Sequence, residues 1–153
     1  MNTLIRLLQL KFLPASADLG LLALRLWLGG SLLVLHGWSK VLNYSKLAST
    51  FPDPLGVGSR WSLVLAILGE VLCTVLIMIG FFTRLAALGS AVTMAVAWYL
   101  VHKMALSGPA SGELAFIYLA GFVTLIIAGA GRFSVDAGTG GNTSRIKPQP
   151  PRK

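Results

Sequence analysis

WSLVLAILGEVLCTVLIMIG, residues 61–80, carries one ionisable side chain, Glu70, in an otherwise almost wholly apolar run. About 20 helical residues cover the roughly 30 Å hydrocarbon core of a bilayer. Residues 19–38, 85–101 and 114–130 form three more runs of this kind. Backbone groups in lipid must pair internally, which leaves helices or a closed barrel. Continuous apolarity without strict alternation selects helices. The chain is therefore expected to be all-α: an integral membrane four-helix bundle over residues 18–136. A short N-terminal interfacial helix within 1–17 and a disordered basic C-terminal tail over 137–153 complete the expected organisation.

Composition supports this class. Of 153 residues, 55% are hydrophobic and 12% charged, with a mean hydropathy of +0.76. Soluble domains carry about 25% charged residues. The net charge of +8 does not imply nucleic-acid binding. Arg132, Arg145, Lys147, Arg152 and Lys153 follow the last run, most other basic residues sit at run ends, and no basic groove with interleaved aromatics occurs. The arrangement fits the positive-inside rule and contact with anionic lipid. Cys73 is the single cysteine, so an intrachain disulfide, a CxxC pair and a thiolate metal set are excluded.

Near the N-terminus, Leu4, Leu7, Leu8 and Phe12 share one helical face, as expected of a helix lying on headgroups. Ala15-Ser16-Ala17 imitates a signal-peptidase site, but Arg6 and Lys11 interrupt the apolar region such a signal needs. Pro14, Ser16 and Asp18 predict a break and a helix N-cap. Residues 43–60, with Pro52, Pro54, Gly56 and Gly58, predict a structured loop and not a helix. Residues 80–84 predict a tight turn. An even number of crossings places both termini on one side, together with Arg6, Lys11, Arg84, Arg132 and the four basic tail residues. Lys40, Lys46, Arg60 and Lys103 fall opposite, so cytoplasmic termini in a bacterial-type inner membrane are expected.

Ionisable groups inside lipid cost a few kcal/mol or more and usually face a protein interior. At about 100° per residue, Arg25, Gly29, Leu32, His36 and Lys40 form one stripe of the first run. Glu70, Cys73, Thr74 and Ile77 share a face of the second. Arg84, Ala91, Ala95, Trp98 and His102 follow one face of the third, and Glu113 with Thr124 one face of the fourth. The four stripes are expected to converge on the bundle axis. Glu70 has a purely structural alternative, an ion pair with Arg25 that fixes helix register. His36, His102 and Glu113 are of ligand type for zinc, copper or iron, but no close-spaced ligand pair accompanies them, so no metal site is assigned. Ala87, Ala91 and Ala95 have the small-xxx-small spacing of a helix contact face, which leaves a homo-oligomer open.

LGLLALRLWLGGSLLVLHGWSKVL (19–42), LGEVLCTVLIMIGFFTRLAAL (68–88) and AGAGRFSVD (128–136) together resemble the DoxX family. Its marks are an arginine in the first helix, HGxxK at that helix's end, a mid-helix glutamate before a G-x-x-T-R turn, and a closing GxGR-x-S-x-D. The resemblance covers about residues 18–136. It implies a small four-helix membrane protein associated with quinone-linked oxidoreductase systems such as the thiosulfate:quinone oxidoreductases. The family pattern falls on Arg25, His36, Gly37, Lys40, Glu70, Thr83, Arg84, Arg132 and Asp136.

The leading expectation is a membrane subunit of a quinone-linked oxidoreductase, with quinone as the candidate cofactor. Glu70 and His36 are the expected catalytic residues, as proton relay and donor. Arg25, His36, Lys40, Trp98, His102 and Glu113 are the expected cofactor-binding residues, with Trp38 or Trp98 stacking on the ring. Electrons would come from a soluble or membrane oxidoreductase partner or from a bound substrate, since the chain carries no GxGxxG, CxxC or haem ligand set. Two alternatives stay open: a non-catalytic scaffold that recruits a soluble redox enzyme, and a small-solute carrier.

Overall fold

A computed structural model describes residues 8, 10 and 16–139. Ser16 opens the first long helix, its hydroxyl accepting from the N–H of Leu19 at 3.2 Å. This is the cap expected where the first run begins. From there α1 runs over Ala17–Leu42, α3 over Ser59–Ile79 and α4 over Thr83–Val101. These three helices are long and apolar enough to cross a membrane. A shorter apolar helix, α5, covers Glu113–Ala128, and α6 covers Val135–Thr139. The 43–60 connection, expected to be free of helix, contains one short helix, α2, at Tyr44–Leu47. No strand occurs among the described residues. The expected interfacial face of Leu4, Leu7 and Phe12, and the tail from residue 140, lie outside them. Residues 137–139, expected to begin the tail, complete α6.

Glycines set how closely α1 approaches α3. A Cβ at Gly29 would lie 3.0 Å from the Thr74 carbonyl oxygen, and one at Gly37 would lie 2.7 Å from that of Glu70. Small residues of this kind let helix backbones come together. The antiparallel register thus sets Gly29 against Thr74 and Gly37 against Glu70. Helix α4 packs along both α3 and α5, and α1 closes against α3 and α5. Leu32, Ile77, Ala87, Phe122 and Leu125 form the fully buried centre. Ala87 and Ala91 are buried within this single chain. Two of the three alanines of the expected contact face are therefore covered within the chain, while Ala95 is half-buried.

Charges close one end of the bundle. Buried Arg25 donates to the carbonyls of Ile77 (3.3 Å), Met78 (3.4 Å) and Phe133. Two of those carbonyls belong to the last turn of α3, where orphan acceptors and a partial negative charge favour a cation. Asp136 does the converse at the start of α4, accepting from the N–H groups of Phe82 (2.8 Å) and Thr83 (2.9 Å). Arg84 donates to Ile127 O in the last turn of α5 at 3.2 Å, and Asp18 accepts from Arg132 N at 2.8 Å. Gly80 at φ 73° and Gly131 at φ 73° make the turns that bring these groups together. Three helix ends are thereby capped by side chains from elsewhere in the chain. The Gly80–Arg84 turn and the GxGR-x-S-x-D element are two halves of one clasp.

Desolvation pushes the Asp136 carboxyl upward, but the N–H groups of Thr83 and Phe82 and the Arg25 charge outweigh it and hold the group below the usual carboxylate range. A carboxyl depressed in the fold contributes stability above its unfolded pKa and loses it as pH falls through the folded value. Acidification below the usual aspartate range should therefore release the clasp first. Faster hydrogen exchange at Phe82, Thr83 and residues 132–137, before the helix cores, is the expected signature. Asp136→Asn should show it already at neutral pH.

Candidate functional site

The other end of the bundle holds a cavity of about 770 Å³. Its lining includes the ionisable side chains of His36, Lys40, Glu70 and His102 and the hydroxyl residues Ser62, Thr93, Ser111 and Tyr118, and most of the remaining wall is Leu, Val, Ala, Met and Pro. Glu70 is 6% exposed and pairs with Lys40, Nζ to Oε2 at 2.5 Å. The ion pair with Arg25 considered from the sequence does not form. The antiparallel register carries Arg25 to Ile77 and Met78, about 10 Å along α3 from Glu70 at 1.5 Å per residue. Lys40, almost one turn beyond Gly37, is the cation whose stem reaches Glu70.

Three π-helical turns lie around this end, at Leu33–Gly37, Leu68–Leu72 and Ala97–Val101. The first contains His36 and the second Glu70, while His102 immediately follows the third. Such turns are rare and concentrate at functional sites. Each admits one extra residue, so side chains beyond it are rotated from the phase that a 3.6-residue period assigns. Trp38, expected to stack on a ligand, lies two residues and so about 200° from His36, and is turned outward and 53% exposed.

Tyr118 of α5 completes the chamber. Its ring meets that of His36 edge to face at 6.1 Å between centroids. Its hydroxyl donates to Ser31 Oγ at 2.8 Å, and Ser31 donates to Trp27 O at 2.6 Å. His102 Nδ1 donates to Ala110 O at 2.9 Å, which in the neutral ring leaves Nε2 as an acceptor. Above the chamber, the loop residues Phe51, Pro52, Pro54 and Leu55 join the wall. Asp53 fixes that loop by accepting from Ser62 Oγ (2.7 Å), Gly58 N (2.7 Å) and Val57 N (3.0 Å). The Ser62 hydrogen bond, followed by the loop N–H groups, holds the Asp53 carboxyl below its ordinary range.

The expected site residues thus separate into groups. His36, Lys40, Glu70 and His102 come together, whereas Arg25 belongs to the clasp. Trp98 packs on Phe116 at 4.9 Å behind the cavity wall, with its indole N–H buried and unpartnered. Glu113 and Thr124 are exposed, so the fourth polar stripe does not face the axis. The Thr124 hydroxyl is satisfied by Ala120 O at 2.9 Å, and α5 buries Tyr118, Phe122 and Leu125 instead. Among the described residues, no three His, Cys, Asp or Glu side chains gather as a metal-ligand group. Tyr118 escaped the sequence analysis because a tyrosine in an apolar run reads as core; its spacing from Phe122 and Leu125 was the available signal.

The family profile described as DoxX matches residues 20–103, more than half of the chain. The chain belongs to the DoxX family. This DoxX protein is also 33% identical over 108 residues to an uncharacterized protein of Haemophilus influenzae, covering 67% of this chain and 78% of that one. No solved structure matches it. The profile match includes all four ionisable cavity groups, His36, Lys40, Glu70 and His102. It ends before Arg132 and Asp136, the late half of the clasp. With three helices of spanning length and apolarity, the chain is a DoxX-family membrane protein.

Removing one partner of a buried ion pair strands a charge at low dielectric, at a cost of about 3 kcal/mol, whereas an apolar pair of similar volume is often neutral. Glu70→Leu and Lys40→Met should therefore each destabilise the DoxX protein by about that amount, while the double variant loses less than either. Chemical unfolding in micelles, analysed as a double-mutant cycle, measures the difference.

Proposed function

We propose that this DoxX protein crosses a bacterial-type inner membrane four times with cytoplasmic termini, and that its cavity binds a quinone as the membrane subunit of an oxidoreductase. The observation carrying the proposal is a single, largely apolar cavity whose lining includes His36, Lys40, Glu70 and His102. Ligand sites of about 300–1,000 Å³ are typically apolar with a few placed polar groups, and a quinone ring with carbonyl oxygens needs such a set. The eight-to-four distribution of basic residues puts the clasp on the cytoplasmic side and the chamber toward the opposite surface.

In this reading Lys40 and His36 donate to the ligand's carbonyl oxygens. Glu70 balances Lys40 and, with His36, carries protons between chamber and solvent. The His36–Tyr118–Ser31 contacts hold the imidazole against α5. A bound quinone supplies an acceptor for two electrons and two protons, with the electrons delivered by a partner oxidoreductase. Arg25 and Glu113 stand outside the chamber and take no part in binding, while Trp98 supports its wall.

Purified protein in lipid nanodiscs should bind quinone saturably. His36→Ala should weaken binding about 10-fold, the equivalent of about 1.4 kcal/mol for one lost hydrogen bond, with its unfolding midpoint little changed. Absence of saturable binding by the native chain would overturn the proposal and favour the scaffold that recruits a soluble enzyme.

A further inference from the structure

The cavity is not confined to the interior. Buried Glu70, Met94 and Tyr118 line it, but so do Leu65 and Leu68 of α3 and Leu85, Leu88 and Val92 of α4. These last five are 43–68% exposed, on the outer faces of helices that read as crossing the membrane. A single cavity reaching both sets continues from the interior to the outer faces of α3 and α4, and because the two helices touch where the buried Ser90 hydroxyl donates to Gly69 O at 2.7 Å, its sideways opening lies to one side of that contact. Two close approaches mark the seam: Gly69 lies against Thr93, and a Cβ at Gly89 would come within 2.8 Å of Cys73 Sγ. Side chains this small leave a crease flanked by leucine and valine ridges. From Val92 to Leu85 the α4 wall extends about 10 Å at 1.5 Å per residue, the length of about two isoprene units.

We infer that the seam between α3 and α4 is a lateral portal and tail-binding groove, through which the ligand enters from the bilayer. The polar headgroup occupies the chamber at Glu70, and its isoprenoid tail lies outward along Val92, Leu88 and Leu85. The inference rests on the quinone reading of the same cavity and adds its specificity. The continuous apolar lining rewards a tail, while the Lys40–Glu70 pair, already neutral overall, favours an uncharged headgroup over an anionic one. A ligand with this chemistry dissolves in the membrane, so entry from lipid spares the apolar tail a passage through water.

The test compares, in nanodiscs, a quinone with a long isoprenoid tail and the same headgroup without a tail, each corrected for partition into lipid. Val92→Trp places an indole in the groove at a position 55% exposed, where folding does not depend on it. The tailed quinone should bind the native chain at least about 10-fold more tightly than the tailless one, and Val92→Trp should remove most of that advantage. Tailless binding should be unchanged in the variant. Equal binding of both ligands, or tailed binding unaffected by Val92→Trp, would overturn the groove while leaving the chamber reading intact. Phospholipid that copurifies with the native chain and is lost from the variant, with quinone binding unaltered, would give the groove to an acyl chain and likewise overturn the inference. Binding of neither quinone would overturn the chamber reading and the groove with it.

Discussion

A helix that ends in or near lipid leaves carbonyls and N–H groups without water to satisfy them, and the Arg25 guanidinium answers this at the end of α3. It does so from the interior of another helix, while donating also to a third carbonyl, Phe133 O, from beyond α5. Asp136 and Arg84 extend the same solution to the starts and ends of α4 and α5. Each charge is matched to the helix terminus that attracts it. The α3–α4 turn and the segment after α5 consequently occupy one location, which fixes α1, α3, α4 and α5 relative to each other at that end.

With one end closed by charge, the other is free to be hollow. Helices α1 and α3 approach where Gly37 meets the Glu70 backbone, and the three π turns occur around the chamber beside that contact. Lys40 and Glu70 neutralise each other inside it, so the chamber offers hydrogen-bonding groups without a net charge from this pair. Most of the rest of the wall is apolar and continues to the outer face of α3 and α4. Rigidity is thereby concentrated at the clasp, while the ionisable groups of the chamber lie toward the opposite end and the cavity wall reaches back along α4 to Leu85.

Much of this was legible in the residues. Run length and continuity locate the helices to within a few positions, because the demand for internal backbone pairing is local and strict. Ser16 as cap and Gly80 as turn follow from their own chemistry. His36, Lys40, Glu70 and His102 are legible as a group because polar residues are scarce in lipid-facing sequence. Partner choice is not legible. Arg25 and Glu70 both need a counter-group, and only the antiparallel register set by Gly29 and Gly37 decides that they do not meet. The π turns leave no mark in composition, whereas the outward face of Trp38 already follows from its spacing of two residues from His36 and Lys40. Glu113 and Thr124 mislead for another reason: α5 has a stronger aromatic face, and burial follows Tyr118 and Phe122.

The clasp also bears on biogenesis. Arg25 and Phe133 are separated by 108 positions, and at translation rates of 5–20 residues per second that interval is roughly 5–20 s. During it the nascent first helix holds a cation whose final carbonyl partner has not yet been made. Until synthesis passes Phe133, the guanidinium within this apolar helix has the Ile77 and Met78 carbonyls to pair with but lacks the third. Completion of the last few residues of the clasp supplies it, so a chain halted before them remains chemically recognisable as unfinished.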